Sequence, residues 1–405
     1  MSPVRLALVA AFLLWFAGAP PPAYAQETRA EALRDEREEK EKVTVAPETS
    51  FLERTLKAVE RSGVPLITRD GIYIKLGTLT TGSGFALGGG YRSRRLLGRD
   101  AGFDAWAGAT ISAYWETQAR FQLPVTPGGR VLAQVFGRFQ DYPREDFFGL
   151  GPDSARANFS DFRLRGPTVG ARADAVVAGP LSVGGGVDYL APRVSDGKDP
   201  GVPSTSAIFD ATAAPGLGDD TDFVRTYGVV DVDYRQPRNA RRGGWYHAEF
   251  SHYADRDLEQ YSFNRVDVDL RQFVSVLSER RVFTARAFVS TSTASDGQTV
   301  PFYLMPTLGG NETLRGFRAY RFRGPHALLL QGEYRFEVWS GLDAALFYDT
   351  GKVALRRGDL DFKDLESNYG FGFRFNTDHG TILRIDTALG SRDGAHFWVV
   401  FGGTF

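Results

Sequence analysis

The residues with the clearest potential for chemistry lie in the last third of the chain. The tripeptide Arg315-Gly316-Phe317 is followed by two strand-like runs, of which the first carries Glu333 and the second Asp349. A guanidinium can bridge two carboxylates with several hydrogen bonds at once, a geometry that a lysine ammonium does not match. These residue types therefore favour an electrostatic anchor.

Two pairs of acids offer a catalytic alternative. Asp231 with Asp233, and Asp267 with Asp269, share one face of a strand at a separation of about 7 Å, which acid and base chemistry of the glycosidase type can use. An arginine follows each pair two residues later. The pattern is also that of salt-bridged ladders in a polar barrel lumen, and we prefer this interpretation because barrel interiors are normally polar.

Metal and cofactor sites have little support. His247 and His252 fall on opposite faces of one predicted strand, so they cannot share a metal ion. The chain has no Cys, and no strand-loop-helix unit surrounds its glycine clusters. We expect no enzyme activity, no cofactor and no metal.

The composition points to strands. Among 405 residues there are 46 Gly, 31 Phe and 16 Tyr, an enrichment that is typical of β-structure. The formal net charge of -1 gives no electrostatic reason to expect a nucleic-acid partner.

The first 69 residues read as export and leader segments. Residues 1–25 combine a basic start, an apolar run and a small-residue cleavage site, and they predict a signal peptide. Residues 26–69 form a short periplasmic leader, in which apolar residues at helical spacing after Ser50 predict an amphipathic helix to about residue 62. This helix would either plug the barrel or serve as a spacer.

From residue 70 to 405 the hydrophobic period becomes two. Sixteen alternating runs are found, and the long connections follow the fifth, seventh, eleventh and thirteenth runs (142–159, 192–221, 293–325 and 354–367). Transmembrane barrels have an even number of strands, short periplasmic turns and long outer loops. The fold class predicted is a 16-stranded antiparallel transmembrane β-barrel in the outer membrane, with both termini periplasmic.

The eleventh connection, 293–325, ends in arginines interleaved with aromatic residues. Such a stripe fits a surface patch for lipopolysaccharide or nucleic acid. It also fits a loop that folds back into the lumen, where Glu333 and Asp349 point inward from neighbouring strands.

At these residues the sequence resembles a known family. The segment LGGNETLRGF, the QGEYR strand around Glu333, the FYDTG strand around Asp349 and the terminal Phe405 are similar to the outer-membrane assembly-factor superfamily, the BamA/TamA-like or bacterial surface antigen barrels. The resemblance implies that Arg315, Gly316 and Phe317 form a loop tip inside the lumen, with Glu333 and Asp349 as acceptors. The segment Pro143 to Ser154 is similar to an outer loop of this family.

The resemblance also implies a role in the assembly or translocation of outer-membrane proteins or lipids. The leader has no room for the periplasmic repeat domains that receive clients in the family, so a passive channel or structural surface barrel remains the alternative. Implied partners are outer-membrane lipids including lipopolysaccharide, unfolded client proteins and the machinery that inserts the barrel itself, with a monomeric barrel. An insertion signal is expected in the last strand (Phe397, Val399, Phe401 and Phe405).

A weak seam is expected where the first strand meets the last. Glycine has no side chain to pack, and glycines occur in both strands: Gly77 in the first, and Gly402 and Gly403 in the last. An edge that opens there can pair with a client strand.

Overall fold

The computed structural model describes residues 70–96, 100–235, 240–377 and 380–401. The predicted signal peptide, the leader with its helix, and Gly402, Gly403 and Phe405 lie outside these described residues.

Sixteen strands cross the described part of the chain. Their bounds are β1 (Gly71–Gly77), β2 (Ala86–Ser93), β3 (Gly102–Thr110), β4 (Trp115–Pro124), β5 (Val131–Phe147), β6 (Ser160–Ala178), β7 (Leu181–Leu190), β8 (Phe223–Asp233), β9 (Gly243–Asp255), β10 (Phe263–Val276), β11 (Ser278–Ala294), β12 (His326–Trp339), β13 (Leu342–Ala354), β14 (Glu366–Thr377), β15 (Gly380–Ser391) and β16 (Gly394–Phe401).

The strands form a single meander. Each pairs antiparallel with the next in sequence, from β1–β2 through to β15–β16. No register joins β1 to β16 within the part of the chain that the structure describes, so the barrel is nearly closed. The prediction of an all-β, 16-stranded antiparallel barrel is confirmed.

The alternation of residue types follows the two faces of the wall. In β13, Leu346 and Tyr348 are exposed on the outside, whereas Phe347 and Asp349, which alternate with them, are buried on the inside. Because side chains on a strand alternate, an apolar outer face meets lipid and the charges collect in the lumen.

One strand is longer than the sequence predicts. We expected β5 to end near residue 141, but it continues to Phe147, and only 148–159 forms the connection. The ladder with β6 shifts register between Tyr142 and Glu145, around Pro143. A bulge tolerates a proline because the extra residue needs no ladder hydrogen bond. The first part of the predicted outer loop Pro143–Ser154 is therefore strand.

The outer parts of several strands and loops share a hydrophobic core. It contains Phe147, Phe162, Phe223, Phe263 and Phe302, each almost fully buried. The connections contain short elements. These are a helix α1 (Thr205–Ile208) and a strand Arg193–Asp196 that pairs with β6. Single 3-10 turns lie at Pro127–Gly129, Arg156–Asn158, Phe302–Leu304 and Arg357–Asp359.

Among the described residues, none of the helices has the length and apolar character needed to cross a membrane.

The connection between β11 and β12, residues 295–325, is called the lumen loop below. A two-stranded ladder, Thr307–Leu308 against Phe322–Arg323, closes its base. Leu314 and Phe317 at its tip are fully buried in a second hydrophobic core with Leu308 and Phe322. The loop is thus a packed hairpin-like unit.

The apolar outer face makes a testable claim. Leu346, exposed in the middle of β13, should tolerate arginine poorly, because a charge facing the hydrocarbon costs about 2 to 4 kcal/mol. Leu346→Arg is expected to lower the free energy of unfolding in lipid vesicles by that amount. The control Leu258→Arg, between β9 and β10, should change it by about 0.5 kcal/mol or less. Equal effects at both positions would contradict the lipid-facing assignment.

Candidate functional site: the lumen anchor

The lumen loop places Arg315 by packing the residues around it. After Arg315 in the chain, the ring of Phe317 lies 5.1 Å from that of Phe322, centroid to centroid. Directly before Arg315, Leu314 is also buried. Both apolar neighbours are fixed in the core. The Arg315 side chain extends away from them, toward the inner faces of β12 and β13.

Arg315 contacts both acids that the sequence singles out. Its Nε and Nη2 donate to the two carboxylate oxygens of Asp349 at 2.8 and 2.7 Å, and its Nη1 donates to Glu333 Oε2 at 2.8 Å. All three side chains are completely buried. The contact with Asp349 is bidentate, which only a planar guanidinium can make.

A third acid completes the ring around Arg315. Asp386 of β15 places an oxygen 3.6 Å from Arg315 Nη1, and Arg374 of β14 joins Asp386 to Glu333 with bonds of 2.5 and 2.7 Å. Arg335 of β12 also donates to Glu333, at 2.6 Å. Charges from four strands and the loop therefore form one network.

Neutral groups bind the remaining acceptor positions of Asp349. Asn368 Nδ2 donates at 2.9 Å and Gln331 Nε2 at 3.1 Å. Gln331 also donates to the carbonyl of Thr313, and Arg384 Nη2 donates to that of Asn311, at 2.7 Å each. The barrel wall thus contacts the backbone of the lumen loop as well as its arginine.

The balance of charge explains why so many groups take part. Four arginines, 315, 335, 374 and 384, meet three acids, 333, 349 and 386. Burial pushes the pKa of Arg315 down, but the charges of Asp349, Glu333 and Asp386 outweigh it and raise the pKa above its usual value. The guanidinium also lies 3.5 Å from the ring centroid of Phe347, a cation–π contact that replaces part of its lost hydration.

Gly316 is required by the close approach of the loop to the wall. A Cβ at this position would lie 2.5 Å from Asn368 Cβ and 3.1 Å from Ser391 Cβ. The hydroxyl of Ser391 donates to the Gly316 carbonyl, so β15 holds the loop tip directly.

Sequence reasoning missed several members of the network. Asp386, Arg374 and Arg384 were not selected, although the alternation in β15 does place Arg384 and Asp386 on the inner face. Their inward direction was a usable signal. The position of these side chains along the barrel axis, relative to Arg315, depends on the stagger of the strands around the barrel. The sequence does not specify this stagger.

One acid of each pair in β8 and β10 forms an ion pair with arginine. Asp233 meets Arg235 at 2.7 Å, and Asp269 meets Arg271 at 2.7 Å and Arg286 at 2.9 Å. These contacts are those of a salt-bridged lumen. Within the described residues, no group of three or more His, Asp or Glu side chains is arranged to hold a metal ion.

The residues predicted for the insertion signal and the seam are placed in part. Phe397, Val399 and Phe401 are exposed on the outer face of β16. Gly77 ends β1, with open space where a Cβ would stand. Phe405, Gly402 and Gly403 lie outside the described residues.

One known family matches part of the barrel. The Omp85 superfamily domain matches residues 245–398, the part that contains the lumen loop and the acids that bind Arg315. These residues thus carry an Omp85 superfamily domain. Family members are assembly and transport barrels of the outer membrane and not enzymes. A search of curated proteins found no match.

Solved Omp85-type barrels share the fold. BamA from Haemophilus ducreyi lacking POTRA domains 1–3 superposes with a TM-score of 0.61 at 13% identity, over 83% of this chain and 71% of that one. CdiB from Escherichia coli gives 0.54 at 14% identity, over 81% and 61%, and CdiB from Acinetobacter baumannii 0.51 at 12%, over 83% and 60%. This chain therefore spans about 60 to 71% of the length of these structures.

The network predicts a large effect of removing its central charge. Arg315→Ala strands the buried carboxylates of Glu333 and Asp349, which typically costs about 3 to 5 kcal/mol. We expect a lower yield of heat-modifiable folded barrel and rapid proteolysis of the lumen loop. Arg318→Ala is the matched control, because Arg318 is only partly buried and stacks on Phe159. Wild-type protease resistance in Arg315→Ala would contradict the anchor.

Gly316 provides a test that leaves every charge in place. In Gly316→Ala the new methyl group would stand 2.5 Å from Asn368 Cβ, so the loop tip must withdraw from β14. Proteolysis of the loop should increase as in Arg315→Ala. Gly332→Ala is the control, because a Cβ there meets nothing within 4 Å. Equal resistance in the two variants would show that the close approach of the tip is not needed.

Proposed function

We propose that this protein inserts or translocates outer-membrane proteins or lipids by opening sideways between β1 and β16. Both termini would lie in the periplasm, since the chain has an even number of strands and long outer loops. Unfolded outer-membrane proteins and lipids including lipopolysaccharide are the proposed clients. The machinery that inserts the barrel would read its last strand, and the working unit would be one barrel.

The observation that carries this proposal is the state of the seam. β5 and β6 pair over most of their length, whereas β1 has seven residues and no register with β16 in the described part of the chain. An edge with unpaired N–H and C=O groups can template a client strand. A barrel built for passive permeability gains nothing from an open edge in lipid.

The filled lumen supports the same route. The lumen loop and its ion network occupy the space inside β12 to β15, where Arg315, Arg374 and Asp386 are inaccessible to water. A substrate moving through the middle of the barrel would have to displace this network. A substrate entering between β1 and β16 would meet no strand ladder among the described residues.

A narrow channel is the second candidate, and one observation favours it. On the opposite wall, ion-paired side chains such as Arg172 and Asp174 keep 28% and 32% of their surface accessible. These side chains are accessible to water, as the lining of a channel would be.

Crosslinking the seam tests lateral opening. The rings of Phe85 and Phe401 lie 5.0 Å apart, centroid to centroid, and the chain has no Cys. Phe85→Cys with Phe401→Cys, joined by a short bis-maleimide, should fold normally yet fail to restore other outer-membrane proteins and lipopolysaccharide in cells depleted of this protein.

Leu346→Cys with Phe371→Cys is the matched control, because these outward residues already face each other across β13 and β14. Crosslinking this pair should leave function intact. Full activity of the crosslinked seam would refute lateral opening. A steady conductance in planar bilayers, unchanged by the crosslink, would favour the channel instead.

A further inference from the structure

The seam has no ladder among the described residues, yet both of its edges are held by one segment. That segment is the tip of the lumen loop, residues 315–320. It makes polar contacts to the last strand on one side and to the first hairpin on the other.

The contact to the last strand uses the backbone of the anchor. Trp398 of β16 donates from its indole Nε1 to the carbonyl of Arg315 at 2.7 Å. The same Arg315 whose guanidinium binds Asp349 and Glu333 therefore fixes the position of β16. The indole N–H of tryptophan can only donate a hydrogen bond. This bond to the Arg315 carbonyl therefore breaks when β16 moves away from the loop.

The contact to the first hairpin uses the far end of the tip. The hydroxyls of Thr80, in the connection between β1 and β2, and Tyr320 are hydrogen-bonded. Ser83 Oγ accepts from the backbone N–H groups of Leu79 and Thr80, which keeps this turn tight. Close packing supports the bond, since a Cβ on Gly82 would lie 3.1 Å from Ala319 Cβ.

Tyr320 is held in an uncommon backbone conformation at this contact. Its φ is +55°, in the left-handed region that few non-glycine residues occupy. Such a conformation persists where surrounding contacts fix it. The packing of the first hairpin against residues 319 and 320 is one such set of contacts.

We infer that the lumen loop is a tie across the seam, which holds β16 through Trp398 and the β1–β2 hairpin through Tyr320. Its role as the closing device rests on the proposed function. The ion network anchors the tie to the rigid wall of β12 to β15. Opening the seam then requires breaking the bond to Trp398 or the bond to Thr80, while the network itself stays intact.

The test measures how often the seam opens without using a client. Ala86 is buried at the start of β2, next to Phe85 whose ring contacts Phe401 across the seam. In Ala86→Cys, the rate of maleimide labelling is proportional to the population of the open state. Tyr320→Phe removes the bond to Thr80 and Trp398→Phe removes the bond to Arg315, and each variant still places an aromatic ring at the position.

We expect each substitution alone to raise the labelling rate about threefold and the two together about fivefold, because breaking either bond opens the seam and a hydrogen bond contributes about 1 kcal/mol. Two kinds of control accompany them. Ala345→Cys, buried in β13, should show no increase, which separates seam opening from general loosening. Trp115→Phe and Tyr246→Phe change residues that contact Phe139 and Gln272 instead of the loop, and they should leave labelling at position 86 unchanged.

An unchanged rate at position 86 in both Tyr320→Phe and Trp398→Phe would overturn the tie. An equal increase in the labelling rate at positions 86 and 345 would also overturn it, because the two hydrogen bonds would then stabilise the whole barrel and not the seam in particular. Should Trp398→Phe fail to fold, Tyr320→Phe decides the question alone, from the other edge. If labelling responds while the crosslinked seam remains fully active, the tie stands and the proposed function falls.

Discussion

The structure depends on one buried charge. A guanidinium buried away from water costs several kcal/mol unless acids and hydrogen bonds replace its hydration. Arg315 obtains these from Asp349, Glu333 and Asp386, which come from three different strands. The wall in turn needs the loop, because three carboxylates this close together would repel each other without it. Loop and wall therefore stabilise a single arrangement.

This arrangement makes the strand register part of the site. A shift of one residue between β12 and β13 would turn either Glu333 or Asp349 toward lipid, since side chains alternate along a strand. The observed ladder sets Gln331 opposite Asp349, with Glu333 two residues on along the same inner face. The apolar outer residues enforce the same register from the lipid side. Membrane and anchor thus select one pairing.

The sequence allowed the inner acids of β12 and β13 to be predicted, because alternation identifies the inner face and the family resemblance identifies the arginine. It did not predict Arg374 or Asp386 as partners. Whether side chains two or three strands away meet depends on the curvature and stagger of the wall. The contact of Trp398 was also hidden, since its acceptor is a backbone carbonyl, which every residue carries.

Prediction was weakest outside the part of the barrel that spans the membrane. There the rule of apolar outside and polar inside ends, and β5 continues to Phe147 because its outer end packs in the core around Phe302. Only the packing of several loops against each other could reveal this. The lengths of the long connections were approximately right for the simpler reason that turns and strand ends are marked by Gly and Pro.

Glycines, which have no side chain, are as necessary to the anchor as the charged residues. On β14, a Cβ at Gly370 would lie 2.4 Å from the ring of Phe347, and one at Gly372 would lie 2.2 Å from Asp386. Because the first glycine leaves room, the ring of Phe347 can lie against the wall and support Arg315 from beneath. Because the second leaves room, Arg374 reaches Asp386. The glycines of this strand therefore do more than permit curvature. They shape the inner surface on which the arginine rests, and through it they fix the loop tip that contacts both edges of the seam.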